Sequence, residues 1–250
     1  MKERYFILIC LSLVIITAIS SFAFVEIEEK TDANLVQKNN MLQENLKEEE
    51  GYKIYSYITD EMKEKAQDII PAILCYDRAF TPEYLNDISS HIIVARVISI
   101  DEMDASYGLF GITKGNLLVN NSLKGDFNDG DIIKFGKIGG IIDAQTLIDV
   151  QGEESSYTNE EPKNEIYFNI IREFDINIEE GKTYLVYLNY NENAGVYEIL
   201  GLKYGLREIN IPQERNNITL IDLDLGNIGI KNNDTNEYEN LQEYIDKYIN

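Results

Sequence analysis

Tryptophan is absent from the chain, histidine occurs once and cysteine twice. A single histidine, His91, leaves too few imidazoles for a zinc site, which takes several His or Cys ligands. It is also the one imidazole base available to a serine or cysteine nucleophile. No G-x-S-x-G turn accompanies it, so His91 reads as an ordinary residue at the start of a strand. Cys10 lies inside an apolar run and Cys75 stands alone, which argues against an intrachain disulfide and leaves the domain to be held by its core. Cys75 sits between Ile73-Leu74 and Tyr76 and reads as a small inert hydrophobe. Basic residues are scarce as well, 22 Lys and Arg against 44 Asp and Glu, for a formal net charge of −22. A surface that acidic repels phosphate backbones and anionic headgroups, which argues against nucleic acid and against docking on an anionic bilayer.

What is present is an apolar content of 44% over 250 residues, enough for one main domain with a buried core and appendages. Lys2 and Arg4 precede Tyr5–Val25, a run without a charge, and Glu26, Glu28 and Glu29 follow it. A helix of roughly 20 residues crosses a bilayer core of about 30 Å, and the charge asymmetry places the N-terminus inside and the body outside. Residues 1–25 are therefore either a membrane anchor or an export signal cut near Ala23, where Ser21-Phe22-Ala23 has the alternating small residues of a signal-peptidase site. Both readings make the body extracytoplasmic. Cys10 is preceded by Ile9, not by Gly or Ala, which speaks against lipid attachment there.

Residues 26–50 read as a polar stalk helix with Leu35, Leu42 and Leu46 on one stripe. Residues 51–88 read as a helical lead-in, with Tyr52–Ile58 as a short strand. Thr59 caps a helix through Ile70 that Pro71 ends, and Thr81-Pro82-Glu83 opens another. From His91 to Gly140 the period changes to two. Ile92, Val94, Ile98 and Ile100 share one face and Ile93, Ala95, Val97 and Ser99 the other, as in a strand inside a closed or covered sheet. Asp101–Gly111 is a polar break and Ile112–Leu123 a second strand. Lys124-Gly125-Asp126 and Asp129-Gly130-Asp131 bracket a turn, and Asp131–Lys137 is a third strand ended by Gly139-Gly140. Gln151–Lys163 reads as a loop, and Glu165–Ile171, Thr183–Tyr190 and Val196–Leu200 as strands, the last two joined by a hairpin turn at Asn191–Gly195. Gly201–Ile211 is the last segment of the sheet. Residues 212–250 make a linker and a C-terminal helix, with a capping box at Asn236 and Glu239 and an apolar stripe of Tyr238, Leu241, Ile245 and Tyr248.

The succession IIVARVISI, polar break, SLKGDF, NDGDIIKF, GG, EEGKTYLVYL and a glycine-bearing hairpin resembles the netrin-like, OB-type β-barrel domain. That domain is also the inhibitory module of the tissue inhibitors of metalloproteinases, and the pattern LKG…GD…GG…G-x-x-YL is similar to that of bacterial exported proteins. The resemblance covers Ser89 to Ile211. It implies a mainly β fold, with a closed or partly open antiparallel OB-like barrel over residues 89–211, flanking helices and an N-terminal apolar helix. In the inhibitors a mature N-terminal cysteine chelates the target's zinc. Cys75 is internal and has no disulfide partner, so neither that mechanism nor its residues carry over.

OB-type barrels bind ligands on one face with exposed aromatics. The ligand-binding candidates are accordingly Tyr184, Tyr187, Tyr190, Tyr197 and Tyr204, although alternation turns some of them inward. Asp126–Asp131 approaches a calcium loop, but its glycine stands fifth and no glutamate stands twelfth. Asp222-Leu223-Asp224 with Gly226 fails likewise, so both are turns and no metal is implied. The expected function is a non-enzymatic extracytoplasmic module that binds a protein or an envelope polymer, tethered to the membrane if the N-terminal helix is retained, without a cofactor. One alternative is a carboxylate-dependent cell-envelope hydrolase, since two suitably spaced acids suffice. With 44 acids any pair is easily chosen, and tryptophan, the usual platform for sugars, is missing. The other alternative is a protease inhibitor acting through a barrel loop.

Overall fold

β-Branched residues on both faces bury the strand His91–Asp104 on both sides as far as Ile100, and the described chain is arranged around it. The computed structural model describes residues 54–69, 80–108, 110–151, 166–171, 175–211 and 225–250. The expected anchor and stalk of residues 1–50, Cys75, the loop expected after Gln151 and the Asp222–Asp224 turn lie outside them. The chain divides after Tyr52, and all the described residues belong to the second unit. Among them no helix is long and apolar enough to cross a membrane.

In chain order the elements are β1 (Tyr55–Ser56), α1 (Asp60–Lys65), β2 (Gln67–Ile69), α2 (Pro82–Ile88), β3 (His91–Asp104), β4 (Ile112–Lys124), β5 (Ile132–Ile138) and β6 (Gly140–Asp143). They continue with α3 (Ala144–Gln151), β7 (Tyr167–Ile170), β8 (Thr183–Asn191), β9 (Val196–Ile199), β10 (Leu206–Asn210), β11 (Gly229–Lys231), β12 (Tyr238–Asn240) and α4 (Leu241–Tyr248). The fold is mainly β.

Five strands pair in a closed cycle, β3 with β4, β4 with β5, β5 with β9, β9 with β8 and β8 back to β3. Strand directions follow from the cycle. β5 lies two antiparallel steps from β3, and so does β9, so both run with β3 and their pairing has to be parallel. The ring is therefore not wholly antiparallel as expected: Phe135 opposite Tyr197 and Gly136 opposite Glu198 form a short parallel seam. β10 pairs with β8 outside the cycle and leads to β11 and β12, so Gly201–Ile211 extends the sheet beyond the ring.

Inside the ring lie Ile93, Ala95, Val97, Leu117, Val119, Phe135, Tyr184, Val186 and Leu188, each worth roughly 1.5–3 kcal/mol on full burial for the larger apolar ones. Ile100 joins this core although alternation assigns it to the other face. The register with β4 slips between Val97 and Ser99, and the extra residue moves Ile100 to the opposite face, until a second slip between Ile100 and Glu102 restores the earlier alternation. Gly115 accommodates that irregularity, since a Cβ there would stand 2.1 Å from the Ser99 carbonyl oxygen. On the outer face, Ile92, Val94, Leu185 and Tyr187 pack beneath α2 and α4 through Leu85, Leu241, Tyr244 and Ile245. A third core joins Met103 and Phe110 to α3 and the small sheet β2-β7-β6.

Three local expectations shift. Thr59 does cap α1, its side chain accepting the Met62 N–H, but the helix stops at Lys65 because Gln67–Ile69 pairs in parallel with β7. The first four residues of the polar break, Asp101–Asp104, belong to β3: Glu102 and Asp104 point to Lys114 on β4 at 3.4 and 2.8 Å, while Met103 turns inward between them. The terminal helix begins four residues later than the capping box at Asn236, with Asn240 accepting the Glu243 N–H at 2.9 Å. Asn236 instead adopts a positive φ of 59° in the turn between β11 and β12, and Tyr238 is exposed on β12.

Candidate functional site: an aromatic mouth

The five candidate tyrosines do not share a surface. β8 is covered on both faces, so its even residues enter the ring core and its odd residues the layer beneath α4. Tyr184 is 2% exposed and Tyr187 0% exposed, which removes both from any ligand surface. Tyr204 lies in the 3-10 turn Leu202–Tyr204, where its hydroxyl donates to Asp234 Oδ1 at 3.3 Å. Only Tyr190 and Tyr197 come together, their ring centroids 5.1 Å apart.

These two belong to a cluster that closes one end of the ring. His91 precedes Ile93 by two residues, Tyr190 follows Leu188 by two and Tyr197 precedes Ile199 by two, so all three prolong inward-facing positions to the rim. Phe127 reaches in from the turn after β4. Its ring lies 4.5 Å from His91, tilted by 33°, and 4.9 Å from Tyr197 at 76°, and Tyr197 stands edge-on to His91 at 5.3 Å. Such tilted and edge-on pairs are the favoured arrangements of aromatic rings. Tyr190 is the outermost member, 55% exposed. Burial, together with the nearby Asp126 carboxylate and Tyr190, raises the Tyr197 phenol above its ordinary pKa.

His91 is held from both nitrogens. Nδ1 is 2.8 Å from Ser90 Oγ and Nε2 is 2.9 Å from Asp126 Oδ1. The hydrogen bond from His91 keeps the exposed Asp126 carboxyl below its usual range. The neutral ring donates from Nε2 to Asp126 and accepts the Ser90 proton. A protonated ring would donate from both nitrogens, and the Ser90 hydroxyl would then turn to the Leu188 carbonyl, 3.2 Å away. Gly125 makes room for the ring: its φ is +98°, and a Cβ there would lie 2.2 Å from His91 Cδ2.

Serine, imidazole and carboxylate in a row invite comparison with a nucleophilic triad, but the surroundings do not support acyl transfer. The Ser90 N–H already donates to Asn189 Oδ1 at 2.6 Å and to the Leu188 carbonyl at 3.1 Å, so it is not free to stabilise an oxyanion beside Oγ. The row fastens the turn after β4 to the start of β3. Asp131 secures the same turn by accepting the Asn128 N–H at 2.8 Å. Asp104, Asp126 and Asp234 are each held below the usual carboxylate range by a hydrogen bond from Lys114, His91 and Lys203 respectively. Ionised carboxylates of this kind are not proton donors to a leaving group. No protein-family model matches the chain, and no curated protein matches it.

A cleft lies elsewhere, at the seam. β5 and β9 part after two paired residues, and a cleft of about 160 Å³ opens beside Ile138, Ile199, Leu200 and Leu202. Lys137 and Asp175 line it as an ion pair of 2.8 Å, both side chains almost fully buried. Glu198 adds a third charged group, its Oε2 accepting from Asn191 Nδ2 at 2.6 Å. The same amide donates to the Tyr107 hydroxyl, which ties the β3–β4 turn to the end of β8. Sequence reasoning singles out none of His91, Phe127, Lys137, Asp175 and Glu198 as a site residue. Extending the inward alternation of Ile93 back by two residues would have marked His91.

Proposed function

We propose that the chain is an extracytoplasmic, non-enzymatic binding module built on an OB-type, netrin-like barrel, and that it holds its partner on the aromatic mouth. The OB-type reading is supported by a five-stranded cycle with one short, loosely joined seam, as expected of a partly open Greek-key barrel. Export is supported by the basic start and the uncharged run Tyr5–Val25, which either anchors the chain or is removed near Ala23. The partner is a protein or an envelope polymer, because a charge of −22 disfavours nucleic acid.

The observation that carries the reading is Tyr190, a large aromatic ring left 55% exposed on top of three packed rings at the rim. Rigid aromatic anchors of this sort supply contact area at little entropic cost. The hydrolase alternative finds no support in Asp104, Asp126 and Asp234, whose carboxyls are held ionised by hydrogen bonds from Lys114, His91 and Lys203. The test is cosedimentation of the purified full chain with isolated cell-wall polymer, alongside surface binding to fractionated envelope proteins, for wild type and Tyr190→Ala. The variant is expected to keep its circular dichroism spectrum and lose at least tenfold in affinity. Equal binding by the two proteins would remove the mouth from the function.

A further inference from the structure

We propose that the cleft at the β5–β9 seam is a second binding site, and that it takes one lysine side chain of a partner protein with the ammonium group on Glu198. This inference stands apart from the aromatic mouth, since Glu198 faces the opposite side of β9 from Tyr197. The cleft's size sets the first limit. About 160 Å³ falls short of a pocket for a drug-sized molecule, which needs roughly 300 Å³ or more, but is comparable to a cavity that admits a benzene-sized group. A single side chain fits that description.

Charge sets the second limit. Lys137 is neutralised by Asp175 at 2.8 Å, and the second oxygen of Asp175 accepts the Ile176 N–H at 2.8 Å, so this pair is internally satisfied. Glu198 has no ion-pair partner among the described residues, and the amide of Asn191 that it holds carries no charge. The cleft therefore presents one net negative charge between apolar walls, on a chain whose total charge of −22 draws cationic partners from a distance.

Lysine suits these limits better than arginine. Its ammonium is a point charge on a slender four-carbon stem, whereas a guanidinium fork is matched by a carboxylate with both oxygens free. Glu198 Oε2 is already engaged by Asn191, which leaves Oε1. The stem would lie along Ile199, Leu200 and Leu202, apolar groups that favour methylenes over water.

The experiment follows the backbone amides of Leu200, Gly201 and Leu202 by NMR in the full chain, titrated with N-acetyl-lysine methylamide at physiological salt. N-acetyl-norleucine methylamide, which has the stem without the ammonium, is the comparison. The lysine probe is expected to give saturable shifts at these amides, at least fivefold tighter than the norleucine probe. Glu198→Gln keeps an acceptor for Asn191 and should retain the wild-type melting temperature while weakening the lysine probe at least fivefold. Tyr190→Ala should leave the titration unchanged. Absence of saturable shifts, a norleucine probe within fivefold of lysine, or a Glu198→Gln loss below fivefold each overturns the proposal. Loss of these shifts in Tyr190→Ala would overturn the independence of the two sites.

Discussion

The hydroxyls of Tyr187 on β8 and Tyr244 on α4 meet at 3.1 Å inside the layer that joins the sheet to the terminal helix. Arg207 lies over the Tyr244 ring at 4.4 Å and donates from Nε to the Lys231 carbonyl at 2.9 Å. A polar contact inside an apolar layer fixes the seat of the helix as well as stabilising it. Tyr187→Phe and Tyr244→Phe are each expected to cost about 1–2 kcal/mol, because each leaves the other hydroxyl buried without that partner. The double variant should cost less than the sum of the two by roughly 0.5 kcal/mol or more. Urea unfolding of the four proteins measures the coupling, and strict additivity would show that the two hydroxyls do not interact.

Buried phenols also set a limit at alkaline pH. Burial, reinforced by Asp143 and Glu102, pushes the Tyr57 phenol well above its ordinary pKa. Burial does the same to Tyr184 with Glu179 nearby, and to Tyr187 beside Tyr244. The folded protein holds these protons more tightly than the unfolded chain. Stability is therefore complete below the ordinary tyrosine pKa of about 10 and declines as pH rises toward the folded values, by up to roughly 1.4 kcal/mol per pH unit for each group. Urea midpoints should fall steeply above about pH 10, with ionisation of these three phenols accompanying unfolding. Tyrosinate absorbance followed together with circular dichroism tests this, and full ionisation of all the tyrosines in a folded chain would contradict it.

Ile93, Ala95 and Val97 show how far alternation reads the fold, and Ile100 shows where it stops. Side chains on a strand change face at every residue, so the two-sided burial of β3 is visible in its neighbours. The slip after Val97 is not, because it is decided by the pairing with β4. The start of α4 was legible to within four residues. Asn-x-x-Glu occurs at 236–239 and again at 240–243, and the β11–β12 turn takes the first asparagine, leaving the second to cap. The mouth is harder still. Sequence points to Tyr190 and Tyr197, but His91 and Phe127 join them from segments more than sixty residues away, and Phe127 sits in a turn with no period to follow. Tyr184 and Tyr187 have the same local pattern as Tyr190 and are buried only because neighbouring strands and α4 cover β8.

Gly125 tests the fastening of the mouth. Alanine there meets both an unfavourable positive φ and the His91 ring. Gly125→Ala is expected to destabilise the chain by about 1–3 kcal/mol and to displace His91 from Asp126. Because His91 is the only histidine, its ring signals in a ¹⁵N–¹H spectrum report the site directly. They should move strongly in Gly125→Ala and also in Asp126→Asn, which loses the carboxylate facing Nε2 but no buried packing. Unchanged ring signals in both variants would mean that the hydrogen bond from His91 to Asp126 does not form in solution.

The ion pair at the seam sets the last expectation. Lys137 and Asp175 are almost fully buried 2.8 Å apart, so the desolvation of each is offset mainly by the other. Removing one partner strands a charge in the protein interior. Lys137→Met is accordingly expected to cost about 3–5 kcal/mol, whereas Lys137→Met combined with Asp175→Leu should recover most of that loss, because no charge then remains unpaired. Asp175 also accepts the Ile176 N–H, so the recovery should fall short of complete by about 1 kcal/mol. Denaturant unfolding of the single and double variants decides between this account and a solvated pair. A solvated pair would make Lys137→Met cost less than about 1 kcal/mol and would leave the second substitution nothing to rescue.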